Sequence, residues 1–293
     1  MAASDKILED VIRAPPKSPV PITYQWLLPN MRGLENFFKV YESQGSSPVS
    51  DSVPASNTSS QDPNAMPSST SSGSPQHEVS IFLAATESFS QRNTNCTIAE
   101  SLERFKPLMA AARERGFGVR AYISVALGCP FEGPDVDPHK TAELAVSLLE
   151  MGANEISVAD TTGMGTAPRT RELLRTLSSA GVENKDMALH FHDTFGQAIT
   201  NTLIGLEHGI RTFDSAVGGL GGCPYSPGAT GNVATEDLVY GLHSLGVSTG
   251  IDLDEVSRIG EWITGEIGKP NESRAGKATL ARIRRGDDAI ATK

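Results

Sequence analysis

The segment DMALHFHDTFGQAITNTLIGLEH, residues 186–208, contains one complete strand-to-helix unit. Residues 186–191 form a short, largely apolar run that predicts a buried strand, and residues 196–208 have the apolar spacing of a helix. Similar units recur along the chain, often with a glycine at the return from helix to strand. We expect strands at 21–27, 78–84, 118–125, 153–158, 186–191 and 211–217. We expect helices at 31–42, 99–115, 138–151, 168–180, 196–208, 234–246, 252–265 and 276–284.

This alternation predicts βαβ crossovers and a parallel sheet, which is the α/β class. A doubly wound sheet and a (β/α)8 TIM barrel both fit the pattern. No GxGxxG sequence follows the first strand, and this disfavours a dinucleotide-binding fold. The chain contains six βα units, whereas a barrel needs eight. From the residues alone, either the sheet is open or two units are absent.

The composition excludes several classes of protein. The 293 residues carry a net charge of −10, so a basic nucleic-acid-binding surface is not expected. No run of eighteen apolar residues is present, so we expect no membrane partner. The N-terminal residues lack an apolar signal core and include acidic side chains, which disfavours a secretory signal or a transit peptide. The three cysteines, Cys96, Cys129 and Cys223, are too few for a disulfide framework and suggest a reducing compartment.

Residues 43–77 differ from the rest of the chain. They are rich in Ser and Pro and have no apolar periodicity. Such a segment buries too little apolar surface to offset the entropy lost on ordering. We therefore predict a disordered loop inserted into a folded domain.

Two histidines mark the end of the strand predicted at 186–191. His190 and His192 are two residues apart, so in a strand both point to the same face and can hold one metal ion. An isolated His-x-His pair is more often one solvent-facing and one hydrogen-bonded histidine. Its neighbours therefore decide between the two interpretations.

Polar residues also follow the other predicted strands, where α/β enzymes place their active sites. Asp160 is either a turn former or a carboxylate aimed into the site. Cys223 lies in a loop with four glycines in five residues, where a packing role is unconvincing, whereas Cys96 and Cys129 fit buried structural positions. Asn232 is placed at the start of a helix, either as its cap or as a metal ligand, with Glu236 one turn further on the same face. Two imidazoles and an amide oxygen suit Mg²⁺ or Mn²⁺.

Three motifs together carry a family resemblance. HFHDTFGQAITN at 190–201, GLGGCPYSPGATGNVATEDLVY at 219–240 and SVALGCPFEG at 124–133 resemble the 3-hydroxy-3-methylglutaryl-CoA lyases, metal-dependent enzymes built on a TIM barrel. The resemblance covers most of 21–42 and 78–265. Condensing relatives share the His-x-His strand and are not expected to share the cysteine loop.

The resemblance implies a site and a reaction. His190, His192 and Asn232 match the metal ligands, and Cys223 matches the catalytic cysteine. Asp160 and Glu236 match acidic residues that are important for activity. Asp160 is expected to support His190, which would act as the base. Thr161 would lie beside the substrate. The implied reaction cleaves 3-hydroxy-3-methylglutaryl-CoA into acetyl-CoA and acetoacetate, a step of leucine catabolism and ketone-body formation. A homodimer in the mitochondrial matrix, with the cytoplasm as the alternative location, is also implied.

The chain departs from the family at its first strand, which carries an Arg-Asp-Gly motif in the family. No Arg-Asp-Gly precedes residue 100 here, and residues 1–12 resemble the second barrel helix instead. We therefore expect a TIM barrel that lacks the first two strands and the first helix, within a domain at 1–265, followed by a helical or flexible tail at 266–293. Three explanations fit the missing units: a misjudged start codon, a short isoform, or a non-catalytic paralogue that keeps the pocket. We expect the 293-residue chain to be weakly active or inactive.

Overall fold

The computed structural model describes residues 4–18, 20–45, 76–222 and 231–291, with only the backbone of 287–291. Within the predicted insertion, residues 43–45 end a helix and its turn, and residues 76–77 begin a strand. The remainder of that insertion lies outside the described residues, and so does Cys223.

Strands and helices alternate as the sequence predicts. The strands are β1 Thr23–Leu27, β2 Gln76–Ala84, β3 Gly118–Ser124, β4 Glu155–Asp160, β5 Met187–Phe191 and β6 Thr212–Asp214. The helices are α1 Ser4–Arg13, α2 Met31–Ser43, α3 Glu87–Thr94, α4 Ile98–Glu114, α5 Pro138–Glu150, α6 Ala167–Ser179, α7 Ala198–His208, α8 Thr235–Ser244, α9 Leu253–Glu266 and α10 Arg274–Ala291. Short 3₁₀ turns occupy Asn184–Asp186 and Val217–Gly219.

The strand order resolves the alternative left open by the sequence. The six described strands are hydrogen-bonded neighbours in the order β1-β2-β3-β4-β5-β6, and the pairs β1–β2, β4–β5 and β5–β6 are parallel. A doubly wound sheet reverses its strand order at a switch point, whereas a (β/α) barrel adds each strand beside the one before. The α/β class and the barrel type of winding are confirmed.

One compact unit comprises the described parts of residues 1–81 and 103–120. Its core is aromatic because the spacing of α2 puts its large apolar side chains on one face. Phe37 and Tyr41 of α2 both meet the edge of Phe117, with ring centroids 5.2 Å and 5.0 Å apart. Trp26 donates its indole N–H to His77 Nδ1 at 3.0 Å, which fastens β1 to β2.

The second unit comprises the described parts of residues 82–102 and 121–293. Here β5 separates two environments, because successive side chains of a strand point to opposite faces. Leu189 packs so closely on α7 that a Cβ at Gly205 would lie 2.4 Å from its Cδ1. Since Leu189 faces α7, its neighbour His190 faces the other side of the sheet. The strand thus fixes which side chains can meet that histidine.

Three local features differ from the prediction or extend it. Helix α3 was not predicted, because the polar sequence ESFSQRNT has no apolar face to signal it. The strand predicted at 211–217 ends at Asp214, and a 3₁₀ turn follows in which Gly218 has a φ of +65°. The tail predicted at 266–293 is largely α10, whose Arg284 pairs with Glu261 of α9 at 2.5 Å.

In the described part of the chain, no helix has the length and apolar content needed to cross a membrane.

Candidate metal centre and active site

His190 and His192 lie together at the end of β5, as the sequence predicts. Their ring centroids are 5.3 Å apart. The His190 side chain is 23% exposed, and His192 is 5% exposed as a residue. Burial and the neighbouring His190 lower the pKa of His192 to about 4, so the His192 ring is neutral at pH 7. A neutral imidazole is the form that binds a metal.

A short β-bridge joins Asn232 to His192. Backbone hydrogen bonds on either side secure it, from Val233 N to Phe191 O at 3.0 Å and from Asp193 N to Gly231 O at 3.1 Å. The prediction that Asn232 begins a helix with Glu236 on the same face is wrong, because α8 begins only at Thr235. The bridge, not a helix, places Asn232 beside the histidine.

Three buried polar atoms of this group have no hydrogen-bond partner among the described residues: His190 Nδ1, His192 Nδ1 and Asn232 Oδ1. The orientation of the Asn232 amide is fixed, because its Nδ2 donates to Leu220 O at 2.9 Å and so leaves the oxygen unpaired. An unsatisfied buried polar atom costs about 1–3 kcal/mol. His190 Nδ1 lies 3.4 Å from Asp214 Oδ2, whereas a cation beside His192 Nδ1 and Asn232 Oδ1 would remove the cost at those two atoms. The donor set therefore fits a divalent metal.

The described residues contain no group of three or more His, Cys, Asp or Glu side chains arranged around one metal position. His190, His192 and Asn232 would provide part of a coordination shell if a metal bound here. Further oxygen ligands would have to complete an octahedral ion such as Mg²⁺.

Asp160 ends β4 and is fully buried. Its Oδ2 accepts from Gly165 N at 2.9 Å, and burial raises the pKa of its carboxyl to about 6. In the register, Asp160 pairs with Phe191, on the face opposite His190. The contacts of this carboxylate secure the turn after β4, and its predicted support of His190 stays a prediction.

Asp214 of β6 is the carboxylate beside His190. The two residues are register partners, and Asp214 Oδ2 lies 3.4 Å from His190 Nδ1. The same oxygen accepts from Ser157 Oγ at 2.8 Å. The Tyr122 ring meets His190 edge-on, with centroids 6.3 Å apart. These neighbours of His190 were not predicted from the sequence, although Asp214 is a lone acidic residue in a predicted strand.

Glu236 is fully buried, and both of its carboxylate oxygens accept from Gly218 N, at 2.9 Å and 3.1 Å. Burial raises the pKa of its carboxyl. A Cβ at Gly260 would lie 2.0 Å from Glu236 Oε1, so α9 packs directly on the carboxylate. Glu236 thereby joins the start of the glycine-rich loop to α9, and its catalytic role stays a prediction.

Thr161 and the two structural cysteines complete the residues considered from the sequence. The Thr161 hydroxyl accepts from Val125 N at 2.9 Å, and Val125 has a φ of +57°. Its predicted place beside a substrate is untested. Cys96 and Cys129 are 3% and 0% exposed, which confirms them as buried positions.

A polar cavity of about 360 Å³ borders Asn232. Its other lining residues come from the loop after β5 and from the region around α8 and α10: Asp193, Thr194, Phe195, Gly196, Ala234, Asp237, Glu272 and Arg274. A larger groove of about 990 Å³ runs between α5 and α6 and shares no lining residue with that cavity. Of these two, the smaller cavity borders a candidate metal ligand, Asn232, although neither His190 nor His192 lines it.

Comparison with known proteins gives a consistent result. The HMGL-like family model matches residues 66–263. A Pseudomonas aeruginosa protein named 3-hydroxy-3-isohexenylglutaryl-CoA/hydroxy-methylglutaryl-CoA lyase is 52% identical over 205 residues, which are 70% of this chain and 68% of the relative. Other matched relatives have names that include both mitochondrial and cytoplasmic forms.

Solved structures agree with the sequence matches. The crystal structure of hydroxymethylglutaryl-CoA lyase from Pseudomonas aeruginosa superposes with a TM-score of 0.78 at 41% identity, covering 96% of this chain and 80% of that one. An HMG-CoA lyase from Acinetobacter baumannii, in complex with coenzyme A and 3-methylmalate, gives a TM-score of 0.74 at 26% identity, with 94% and 77% covered.

Proposed function

The chain belongs to the HMGL-like family, and we propose that its activity is that of a hydroxymethylglutaryl-CoA lyase. The reaction is the cleavage of 3-hydroxy-3-methylglutaryl-CoA to acetyl-CoA and acetoacetate. The observation that carries the proposal is the cluster of His190, His192 and Asn232, in which His192 Nδ1 and Asn232 Oδ1 have no hydrogen-bond partner in the described part of the chain. This cluster occurs in a chain that is 52% identical to a lyase.

A divalent metal, Mg²⁺ or Mn²⁺, is part of the proposal. His190, His192 and Asn232 would hold it, since their donor atoms are imidazole nitrogens and an amide oxygen. When bound, such an ion supplies Lewis-acid polarisation of a substrate oxygen. Strand β5 and the bridge between Asn232 and His192 keep these side chains in place.

The reaction needs two proton movements. The proton of the tertiary hydroxyl is lost as the carbon–carbon bond breaks, which leaves acetoacetate and the enolate of acetyl-CoA. The family resemblance implies His190 as the acceptor, a role open only to a ring nitrogen that neither the metal nor Asp214 occupies. Cys223, assigned by family resemblance and outside the described residues, donates the proton that converts the enolate to acetyl-CoA. One proton leaves the substrate and one enters the product, so the reaction is balanced.

An acyl-CoA thioester is the proposed substrate, and the coenzyme A complex of the Acinetobacter relative supports that choice. A homodimer in the mitochondrial matrix is the proposed assembly and location, with the cytoplasm as the alternative because relatives of both kinds match. Neither nucleic acid nor membrane is a proposed partner.

One sequence observation favours a second candidate function. The chain has no Arg-Asp-Gly motif before residue 100, so the carboxylate and the guanidinium that the family resemblance assigns to its first strand are not among these residues. We therefore expect slow turnover by the 293-residue polypeptide. A paralogue that binds metal and acyl-CoA without turnover is the alternative.

Acetoacetate release from 3-hydroxy-3-methylglutaryl-CoA by the purified chain, with and without Mg²⁺ or Mn²⁺, tests the proposal. We expect slow release that requires the metal and disappears in His190→Gln, with no condensation of acetyl-CoA with a 2-oxo acid. Binding of the thioester without any release would favour the non-catalytic paralogue. Rapid release would contradict the expected low activity.

A further inference from the structure

Strands β5 and β6 place Asp214 directly beside His190. The two are register partners on adjacent parallel strands, so their side chains share one face of the sheet. Asp214 Oδ2 lies 3.4 Å from His190 Nδ1, and the side chains are only 16% and 23% exposed. Because little solvent reaches the pair, its electrostatic interaction is screened less than that of a surface pair.

Ser157 holds the carboxylate from another direction. Its hydroxyl donates to Asp214 Oδ2 at 2.8 Å, and Ser157 is fully buried on β4. The β5 residue paired with Ser157 is the small Ala188, and the Ser157–Asp214 hydrogen bond spans β5 at this level. The position of the carboxylate is therefore set by the sheet and does not depend on a bound ligand.

The His190 ring has a buried Nδ1 that no described residue hydrogen-bonds. A carboxylate accepts hydrogen bonds and does not donate them, so Asp214 can satisfy this nitrogen only when Nδ1 carries the proton. A movement of about half an ångström brings the 3.4 Å separation to hydrogen-bond distance. With the proton on Nδ1, the lone pair of a neutral imidazole is on Nε2.

We propose that Asp214 is a positioning residue for His190, holding the ring with its proton on Nδ1 so that Nε2 is the nitrogen available to the metal. The inference rests on the proposed function in that the metal is the one assigned there. A carboxylate that orients a metal-binding histidine fixes its tautomer and raises its basicity, and loss of such a group typically weakens metal binding 10- to 100-fold. Asp214 would thus act on the reaction through His190, without touching the substrate.

The test is the tautomer of His190, read from long-range ¹H–¹⁵N spectra of histidine-labelled full chain in EDTA at pH 7.5. His190→Gln identifies the signals of the ring. We expect the wild-type proton on Nδ1 and a reversed tautomer ratio in Asp214→Asn, because the amide can donate to Nδ1. Glu207→Gln, on the exposed part of α7, is the matched control and leaves the ratio unchanged.

A wild-type ring with its proton on Nε2 overturns the proposal, even if Asp214→Asn fails to fold. A ratio unaffected by Asp214→Asn in a folded protein, judged by circular dichroism, overturns it as well. Calorimetric titration with MnCl2 gives an independent measure, and we expect Asp214→Asn to weaken Mn²⁺ binding 10- to 100-fold relative to Glu207→Gln. If the chain has no lyase activity but the His190 proton lies on Nδ1, this result supports the role of Asp214 and counts against the proposed function.

Discussion

Asp160 and Asp214 stand on the two strands that flank β5, yet their carboxylates have different surroundings. Asp160 pairs with Phe191, and its carboxylate hydrogen-bonds the turn after β4. Asp214 pairs with His190 and reaches the ring. A shift of one residue in a strand changes the face to which a side chain points. The comparison teaches that the register of an acidic residue at a strand end decides whether it reaches the candidate metal ligand His190 or hydrogen-bonds the framework.

Removal of one candidate metal ligand is expected to have the largest effect. His192→Ala deletes a neutral, 5% exposed imidazole, and we expect Mn²⁺ affinity measured by calorimetry to fall by at least about 100-fold. His208→Ala is the control, since that ring contacts Ser178 between α6 and α7. Equal Mn²⁺ affinities of the two variants would break the distinction between metal centre and framework.

A substitution that disturbs a framework carboxylate is expected to lower the stability of the fold without a specific loss of metal binding. Gly260→Ala puts a methyl group 2.0 Å from Glu236 Oε1, and we expect the free energy of unfolding to fall by about 2–4 kcal/mol in urea denaturation. Gly265→Ala in the same helix meets nothing within 4 Å and should stabilise by about 0.5–1 kcal/mol. Similar effects of both substitutions would contradict the packing of α9 on Glu236.

The pH dependence of stability sharpens the description of Asp160. Burial raises its folded-state pKa to about 6 from 3.8, so between those pH values the folded protein binds more protons than the unfolded chain. Stability therefore falls as pH rises through this window, by about 2–3 kcal/mol in total. Urea denaturation in EDTA from pH 4 to 7 should show this loss, and Asp160→Asn should lack it. Stability that rises across the window equally in both proteins would contradict the assignment.

The smallest expected effect is at Ser157. Ser157→Ala removes one buried hydrogen bond to Asp214, and we expect it to lower the free energy of unfolding by about 1 kcal/mol in urea denaturation. Ser147→Ala, which removes an exposed bond to Glu143 O on α5, should change it by less than about 0.5 kcal/mol. A neutral Ser157→Ala would show that the carboxylate is held by other contacts.

Much of the fold follows from the sequence because the strands are apolar runs bounded by glycine and polar residues. The contacts of Asp160 did not follow, since the strand predicted at 153–158 stops before it, and a residue outside a strand has no assigned face. The observed β4 continues to Asp160 and settles the register. The sequence predicted a helical position for Asn232. Its place is instead determined by a bridge to His192, which is distant in sequence and so leaves no local pattern.

Electron spin echo spectroscopy of the Mn²⁺-loaded chain tests the central claim most directly, because it counts the imidazole nitrogens bound to the metal. We predict two coordinated imidazoles in the wild-type chain, and one in either His190→Gln or His192→Ala. A spectrum without coordinated imidazole, or one that neither substitution changes, would contradict the assignment of the metal centre to the end of β5.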